Sequence, residues 1–126
     1  MNIIIDAEKK IVKNGALFRG TVSEKTAIKE RFMRREYNLA HVFEAGQYKG
    51  SFVFRLVRGW FKFEFFRFRD DMTNVMDKIH DYTVSLVKNR GLTGIEVEPE
   101  RKGAARKFLG YGFSHIGENR YRKVVS

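Results

Sequence analysis

The sequence predicts an α/β (α+β) fold, a mixed central sheet flanked by helices, and three observations carry that prediction. The first is the stretch from Ser51 to Phe68, which reads SFVFRLV, then Arg58-Gly59, then WFKFEFFRF. Strand side chains alternate between faces, so a hairpin turning at Arg58-Gly59 gathers Phe52, Phe54, Leu56, Phe61, Phe63 and Phe65 on one wholly apolar face. The opposite face carries Val53, Arg55, Val57, Trp60, Lys62 and Glu64. At about 1.5 to 3 kcal/mol for each large apolar side chain fully buried, no other stretch contributes as much to a core. The second observation is a helical recurrence directly after this hairpin, and the third is a run of strand and short-helix patterns that continues through the basic end of the chain.

In chain order, Asn2 to Ile5 is a short strand whose consecutive isoleucines suggest burial on both faces. Residues 7–21 contain Asn14-Gly15 and Gly20 and are expected to hold a tight turn between short extended pieces, 9–13 and 16–19. Ser23 is an N-cap, followed by helix formers through Arg35, and a break near 36–38 leads to a second helix over 39–45, capped by Asn38 and ended by Gly46. After the hairpin, Met72, Met76, Ile79, Thr83, Leu86 and Val87 recur at helical spacing, with Asp70 or Asp71 at the start and Gly91 at the stop. The methionines fit a core stripe, and His80 sits beside it as a half-buried helix residue. Gly94 to Glu98 is a strand and Glu100 to Leu109 a short basic helix closed by Gly110. Phe113 to Gly117 and Arg120 to Val125 form a last hairpin around Glu118-Asn119.

A chain of 126 residues, 43% of them apolar, is the size of one domain, 1–126, and needs no staples to bury a core. With no cysteine it has no disulfide framework, no zinc thiolate site and no cysteine nucleophile, and three scattered histidines give no metal centre. The apolar runs are short, and at the N-terminus they precede the positive charges, the reverse of a signal peptide, so a cytoplasmic protein is expected. The formal net charge is +10, and the last 26 residues hold seven basic groups and one acidic group. Such a field raises the encounter rate with any polyanion without choosing among them.

The run GLTGIEVEPERKGAARKFLGYGFSHIGENRYRKV resembles the closing section of the GNAT family of N-acyltransferases. In that family a strand leads to a short helix of the form N-x-x-A-x-x-x-Y-x-x-x-G-F, and two strands follow. Arg101 stands at the Asn, Ala104 at the Ala, Phe108 at the Tyr and Gly112-Phe113 at the Gly-Phe. The resemblance extends over about residues 51 to 126, with the hairpin and long helix where the family has its central strands and cofactor helix, and it implies a splayed parallel junction near Gly94 to Glu98. Two departures follow. The family receives acyl-CoA pyrophosphate on a glycine-bearing loop at a helix N-terminus, whereas here the junction reads Phe66-Arg67-Phe68-Arg69-Asp70-Asp71-Met72, without glycine and with two acids. Phe108 has no proton to give where the family has a Tyr.

The resemblance therefore supports two expectations. In one, the acyl-CoA site is degenerate, no cofactor is bound, and the chain is a basic binding or assembly protein for a polyanion, nucleic acid or acidic protein. Short GNAT-like proteins of tailed phages are similar in their compactness, which implies a phage origin and a virion-associated location. The binding surface is then Arg101, Lys102, Arg106, Lys107, Arg120, Arg122 and Lys123, with Tyr111 and Tyr121 available to stack. In the alternative, the chain is a divergent acetyl-CoA-dependent N-acetyltransferase. Glu64 is its general base, Tyr111 or Tyr82 protonates the leaving thiolate, and Arg67 and Arg69 meet the phosphates. Glu64 has a plainer reading as the cross-strand partner of Arg55 or Lys62.

Overall fold

A computed structural model of the chain describes residues 2–5, 37–68, 73–99 and 102–125. The extended pieces expected within 7–21 and the helix expected over 24–35 lie outside these residues. So do Arg69, Asp70, Asp71, Met72, Glu100 and Arg101, and the side chains of Arg67 and Lys102. The elements are β1 (Asn2–Ile5), β2 (Asn38–Glu44), β3 (Gln47–Val57), β4 (Trp60–Phe68), α1 (Thr73–Asn89), β5 (Gly94–Val97), α2 (Lys102–Gly110), β6 (Ser114–Gly117) and β7 (Arg120–Val124). The strands follow the order β1-β2-β3-β4-β5-β7-β6, which puts the expected hairpin mid-sheet. The sheet is mixed, parallel between β4 and β5 and antiparallel between β5 and β7. Contacts divide the chain into two compact units, Met1–Arg55 with Phe65–Thr73 and Leu56–Glu64 with Asn74–Ser126.

In the first unit, β1 pairs antiparallel with β2, Asn2 opposite Phe43 through Ile5 opposite Ala40. The helix expected over 39–45 is strand β2 instead. It pairs along β3 from Asn38 opposite Phe54 to Glu44 opposite Gln47. The two strands join through Ala45-Gly46, both at positive φ (51° and 77°), a two-residue turn whose twist matches that of paired strands. Leu39, Ala40 and Val42 are all buried. Burial on both faces removed the alternation that marks a strand, and seven residues are too few to separate one period from the other. β3 is likewise buried on both sides here: Phe52 and Phe54 on the apolar face, and Val53 on the face that the sequence left mixed.

The second unit begins with the hairpin tip. Arg58 and Gly59 both have positive φ, 50° and 86°, so the expected two-residue turn is formed with glycine at its second position. Phe61 and Phe63 are buried, their rings 5.0 Å apart and edge to face. Leu56, placed with them on the apolar face, is 43% exposed, because it lies two residues from the turn at the hairpin's end. Helix α1 buries Met76, Ile79, Thr83 and Val87, the stripe read from the sequence. The Thr83 hydroxyl donates to the Ile79 carbonyl at 2.8 Å, so its polar atom is satisfied inside the core. The helix ends where Leu92 N–H bonds the Val87 carbonyl at 3.0 Å and Gly91 N–H the Lys88 carbonyl at 3.2 Å.

From there the chain enters β5, all four of whose residues are buried. At its start, a methyl group on Gly94 would stand 2.1 Å from the Lys123 carbonyl oxygen and 2.9 Å from the Trp60 ring, so only glycine lets β7 and Trp60 come this close. Helix α2 then buries Phe108 and leaves Ala104 and Ala105 half-buried. Leu109 is 48% exposed. One residue from Phe108, it turns about 100° away from the buried side. The closing glycine is Gly112 rather than Gly110. With φ at 93°, it lets Gly112 N–H reach the Leu109 carbonyl at 3.0 Å and Phe113 N–H the Phe108 carbonyl at 3.1 Å. The Phe108 and Phe113 rings meet at 5.1 Å, the apolar contact that accompanies this cap. The Phe108, Gly112, Phe113 pattern is thus a helix terminus with its own physical logic.

Candidate functional site

The site-forming irregularity is the junction of β4 and β5. Their parallel pairing is confined to three positions, Trp60 with Gly94, Phe61 with Ile95 and Lys62 with Glu96. Beyond Lys62 strand β4 continues to Phe68, while β5 ends at Val97. Phe63 and Glu64 are the first β4 residues past the shared register, Phe63 buried and Glu64 half-buried. By strand alternation Glu64 shares a face with Lys62 and Trp60.

That face carries a charged row. Lys62, Glu96 and Arg122 are direct cross-strand neighbours on β4, β5 and β7. Glu96 is buried, and its Oε1 accepts from Arg122 Nε and from Arg120 Nη2, both at 2.9 Å. Lys62 Nζ lies 3.5 Å from Glu96 Oε2 and 3.6 Å from the exposed carboxylate of Glu98. Burial works to raise the Glu96 pKa, but the two arginine hydrogen bonds and the Lys62 charge outweigh it and hold the carboxyl below its usual range. The Arg122 guanidinium lies over the Trp60 ring at 4.4 Å, which fixes its plane.

The opposite side is organised around His80, which is more deeply buried than the sequence suggested. Its ring stacks on that of Tyr111 at 4.3 Å and 9°. Lys123 Nζ donates to His80 Nε2 at 3.0 Å and to the Tyr111 carbonyl at 2.7 Å, and His80 Nδ1 faces Asp81 Oδ1 at 3.3 Å. These partners assign the proton to Nδ1 and the lone pair to Nε2. Burial, then the Lys123 charge, lowers the His80 pKa, so the ring is neutral at pH 7. The Tyr111 hydroxyl donates to Asp77, which also pairs with Lys107 at 3.2 Å. Burial and the Asp77 bond push the Tyr111 pKa well above its ordinary value. The hydrogen bonds from Tyr111 and Lys107 hold the Asp77 carboxyl below its own.

The sequence-derived residues therefore separate. Arg120 and Arg122 stand together on the Lys62 and Glu64 side. Lys107 and Lys123 belong to the His80 side, and Arg106 is exposed on α2. The basic surface expected to have almost no acid to offset it contains a buried one, Glu96, which the sequence reading placed only in a strand. Of the two tyrosines named as proton donors, Tyr111 is engaged by Asp77. Tyr82 lies about 200° around α1 from His80 and so projects away from that cluster. Lys62 pairs with Glu96 and Glu98 on β5 and the segment after it, and the Arg55 guanidinium lies over the Tyr37 ring at 5.8 Å.

Comparison with solved structures agrees with this geometry. The protein has the GNAT acetyltransferase fold. It is similar to GCN5 of Tetrahymena, with a TM-score of 0.75 at 10% identity, covering 100% of this chain and 97% of the other. It is similar to aminoglycoside 6'-acetyltransferase type Ii, with a TM-score of 0.72 at 14% identity, covering 100% and 98%. An aminoglycoside 6'-N-acetyltransferase complexed with coenzyme A gives 0.70 at 12% identity, again covering 100% and 98%. No protein-family model and no curated protein matches the sequence. Among the described residues no helix is long and apolar enough to cross a membrane.

Proposed function

We propose that the protein is a divergent acyl-CoA-dependent N-acetyltransferase acting on an amine. The observation that carries this reading is the three-position pairing of β4 with β5. Past Lys62 the β4 edge turned toward β5 has no strand beside it among the described residues, and its backbone N–H and C=O groups suit an extended ligand with amides of its own. Acyl-CoA has such an amide-bearing arm and brings an activated thioester carbonyl. Arg67 and Arg69 come next in the sequence and are the cations this reading offers to its phosphates. The fold likeness to acetyltransferases, one of them complexed with coenzyme A, supports this reading over a binding or assembly role.

Glu64, half-buried beside that edge, takes a proton from the acceptor amine, directly or through water, as the nitrogen attacks the carbonyl carbon. The C–N bond forms, the C–S bond breaks, and the sulfur leaves with the electron pair. An ordinary thiol ionises near pH 8.5, so a thiolate leaves without an acid beside it. Phe108 in place of the family's tyrosine slows that departure and does not forbid it. Tyr111 serves as a donor only if its hydroxyl lets go of Asp77.

Calorimetry with acetyl-CoA and thiol release with a panel of amines test the reading. Micromolar binding and turnover above background are expected, with Glu64→Gln lowering kcat by about 10² to 10⁴ and leaving acetyl-CoA affinity unchanged. Silence at millimolar acetyl-CoA would leave the basic binding protein. Its support is the charge of the last 26 residues, and its signature is polyanion affinity that falls steeply with salt.

A further inference from the structure

We propose that the Arg120–Arg122 pair receives an anionic group of the acyl acceptor, so that the acceptor is an amine carrying a carboxylate or phosphate at a set distance from its nitrogen. This rests on the acetyltransferase reading and names its substrate class. Both guanidiniums are anchored on one atom, Glu96 Oε1, Arg122 through Nε and Arg120 through Nη2. Two cations share one carboxylate oxygen, with Glu98 and Glu118 acting on Arg120 from further off, while Lys62 is drawn to the other oxygen and to Glu98. Each arginine keeps most of its N–H donors, and among the described residues no acceptor other than Glu96 meets them. The Arg122 side chain is 36% exposed and that of Arg120 46%. Glu96 below and Trp60 behind set the Arg122 plane before any ligand arrives, so little ordering entropy remains to be lost on binding. A planar fork, pre-oriented and partly open, is the arrangement that recognises oxyanions.

The position of Glu64 turns this into a specificity. It lies on the same face, two residues along β4 from Lys62, which stands opposite Glu96. Strand rise and strand spacing put the Glu64 and Glu96 backbones about 8 Å apart on the diagonal. An amine presented to Glu64 therefore has its far end at the arginine pair when an extended chain of about six bonds separates nitrogen from oxyanion. A diamine of the same length would set its second cation against two guanidiniums.

The test uses three probes of matched length, 6-aminohexanoate, hexylamine and 1,6-diaminohexane, against the full chain. Binding is measured by calorimetry without acetyl-CoA, and acetyl transfer is then followed by thiol release. Expected is a preference of about tenfold or more for 6-aminohexanoate over both other probes in each measurement. Inorganic phosphate should compete with it. The Arg120→Lys/Arg122→Lys variant keeps a cation on Glu96 but loses the fork, and should lose the preference while retaining its circular dichroism spectrum. Phosphate competition in the unaltered protein reads the same site if that variant does not fold. Equal binding of the three probes, no binding of any, or a preference unchanged in a folded variant would overturn the proposal. A binding preference without thiol release from any amine would instead remove the acetyltransferase reading, and with it the claim that the bound amine is an acceptor.

Discussion

Strand β7 presents opposite sides of itself to two kinds of chemistry, and the comparison shows how one strand sorts its charge. On one side Arg120 and Arg122 share the buried carboxylate of Glu96, with Lys62 beside it. On the other, Lys123 meets a neutral imidazole and a backbone carbonyl, and of the acids on that side Asp81 faces His80 while Asp77 is taken by Tyr111 and Lys107. The first side gathers cations around Glu96 and leaves most of the guanidinium donors open, which suits it to bind. The second links its polar groups to one another and so joins α1, the end of α2 and β7. The buried charge of Glu96 is tolerated because both of its oxygens are paired.

The largest expected effect breaks both sides at once. Gly94→Ala drives a methyl group into the Lys123 carbonyl and the Trp60 ring. No rotamer relieves a clash with backbone, so a loss of about 3 kcal/mol in urea unfolding is expected. Next, Glu96→Gln separates the sides: it removes the shared anion and should cost about 2 kcal/mol while leaving the His80–Tyr111 stack intact by NMR. Its pH dependence has a definite sign. The folded pKa is below the ordinary 4.5, so the unfolded chain binds the proton first as pH falls. The Glu96 contribution is complete above about pH 4.5 and drains away as pH drops toward the folded pKa. The difference between wild type and Glu96→Gln should shrink over that window.

His80 tests the other side with a smaller effect at a different pH. Its folded pKa is below the ordinary 6.5, so again the unfolded chain takes the proton first. Stability contributed by the neutral ring is full above pH 6.5 and declines below it until the folded pKa is reached. His80→Gln should flatten the stability profile as pH falls below 6.5. Tyr111→Phe comes last. It removes a hydrogen bond to the exposed Asp77 but keeps the ring stack, so the urea midpoint should move by an amount at the edge of resolution. A large loss there would mean that the hydroxyl, and not the stacked ring, closes this side.

Local features were legible in the sequence. The Arg58-Gly59 turn, the Met76 to Val87 stripe and the stop at Gly91 each depend on residues within a few positions of one another. The shared face of Arg120 and Arg122 followed from alternation alone. Strand β2 was not legible, because Leu39, Ala40 and Val42 are buried on both of its faces. Glu96 was passed over as one acid in a short strand, since its role appears only when the β4–β5 register places it beside Lys62 and the β5–β7 register beside Arg122. The His80, Tyr111 and Lys123 cluster joins three elements far apart in the chain, and no spacing within any one of them announces it.

The order of the strands also has a consequence in time. The β2–β3 and β6–β7 hairpins close over two-residue loops, events of about 1 to 10 μs. Strand β5 has no neighbour of that kind: Gly94 must find Trp60 behind a whole helix and Val124 well ahead of it. Loop-closure entropy is met twice before its contacts return anything, so the seating of β5 belongs to the late, rate-limiting part of folding. Glu96 leaves water at that moment, and its arginines arrive on the strand that docks beside it.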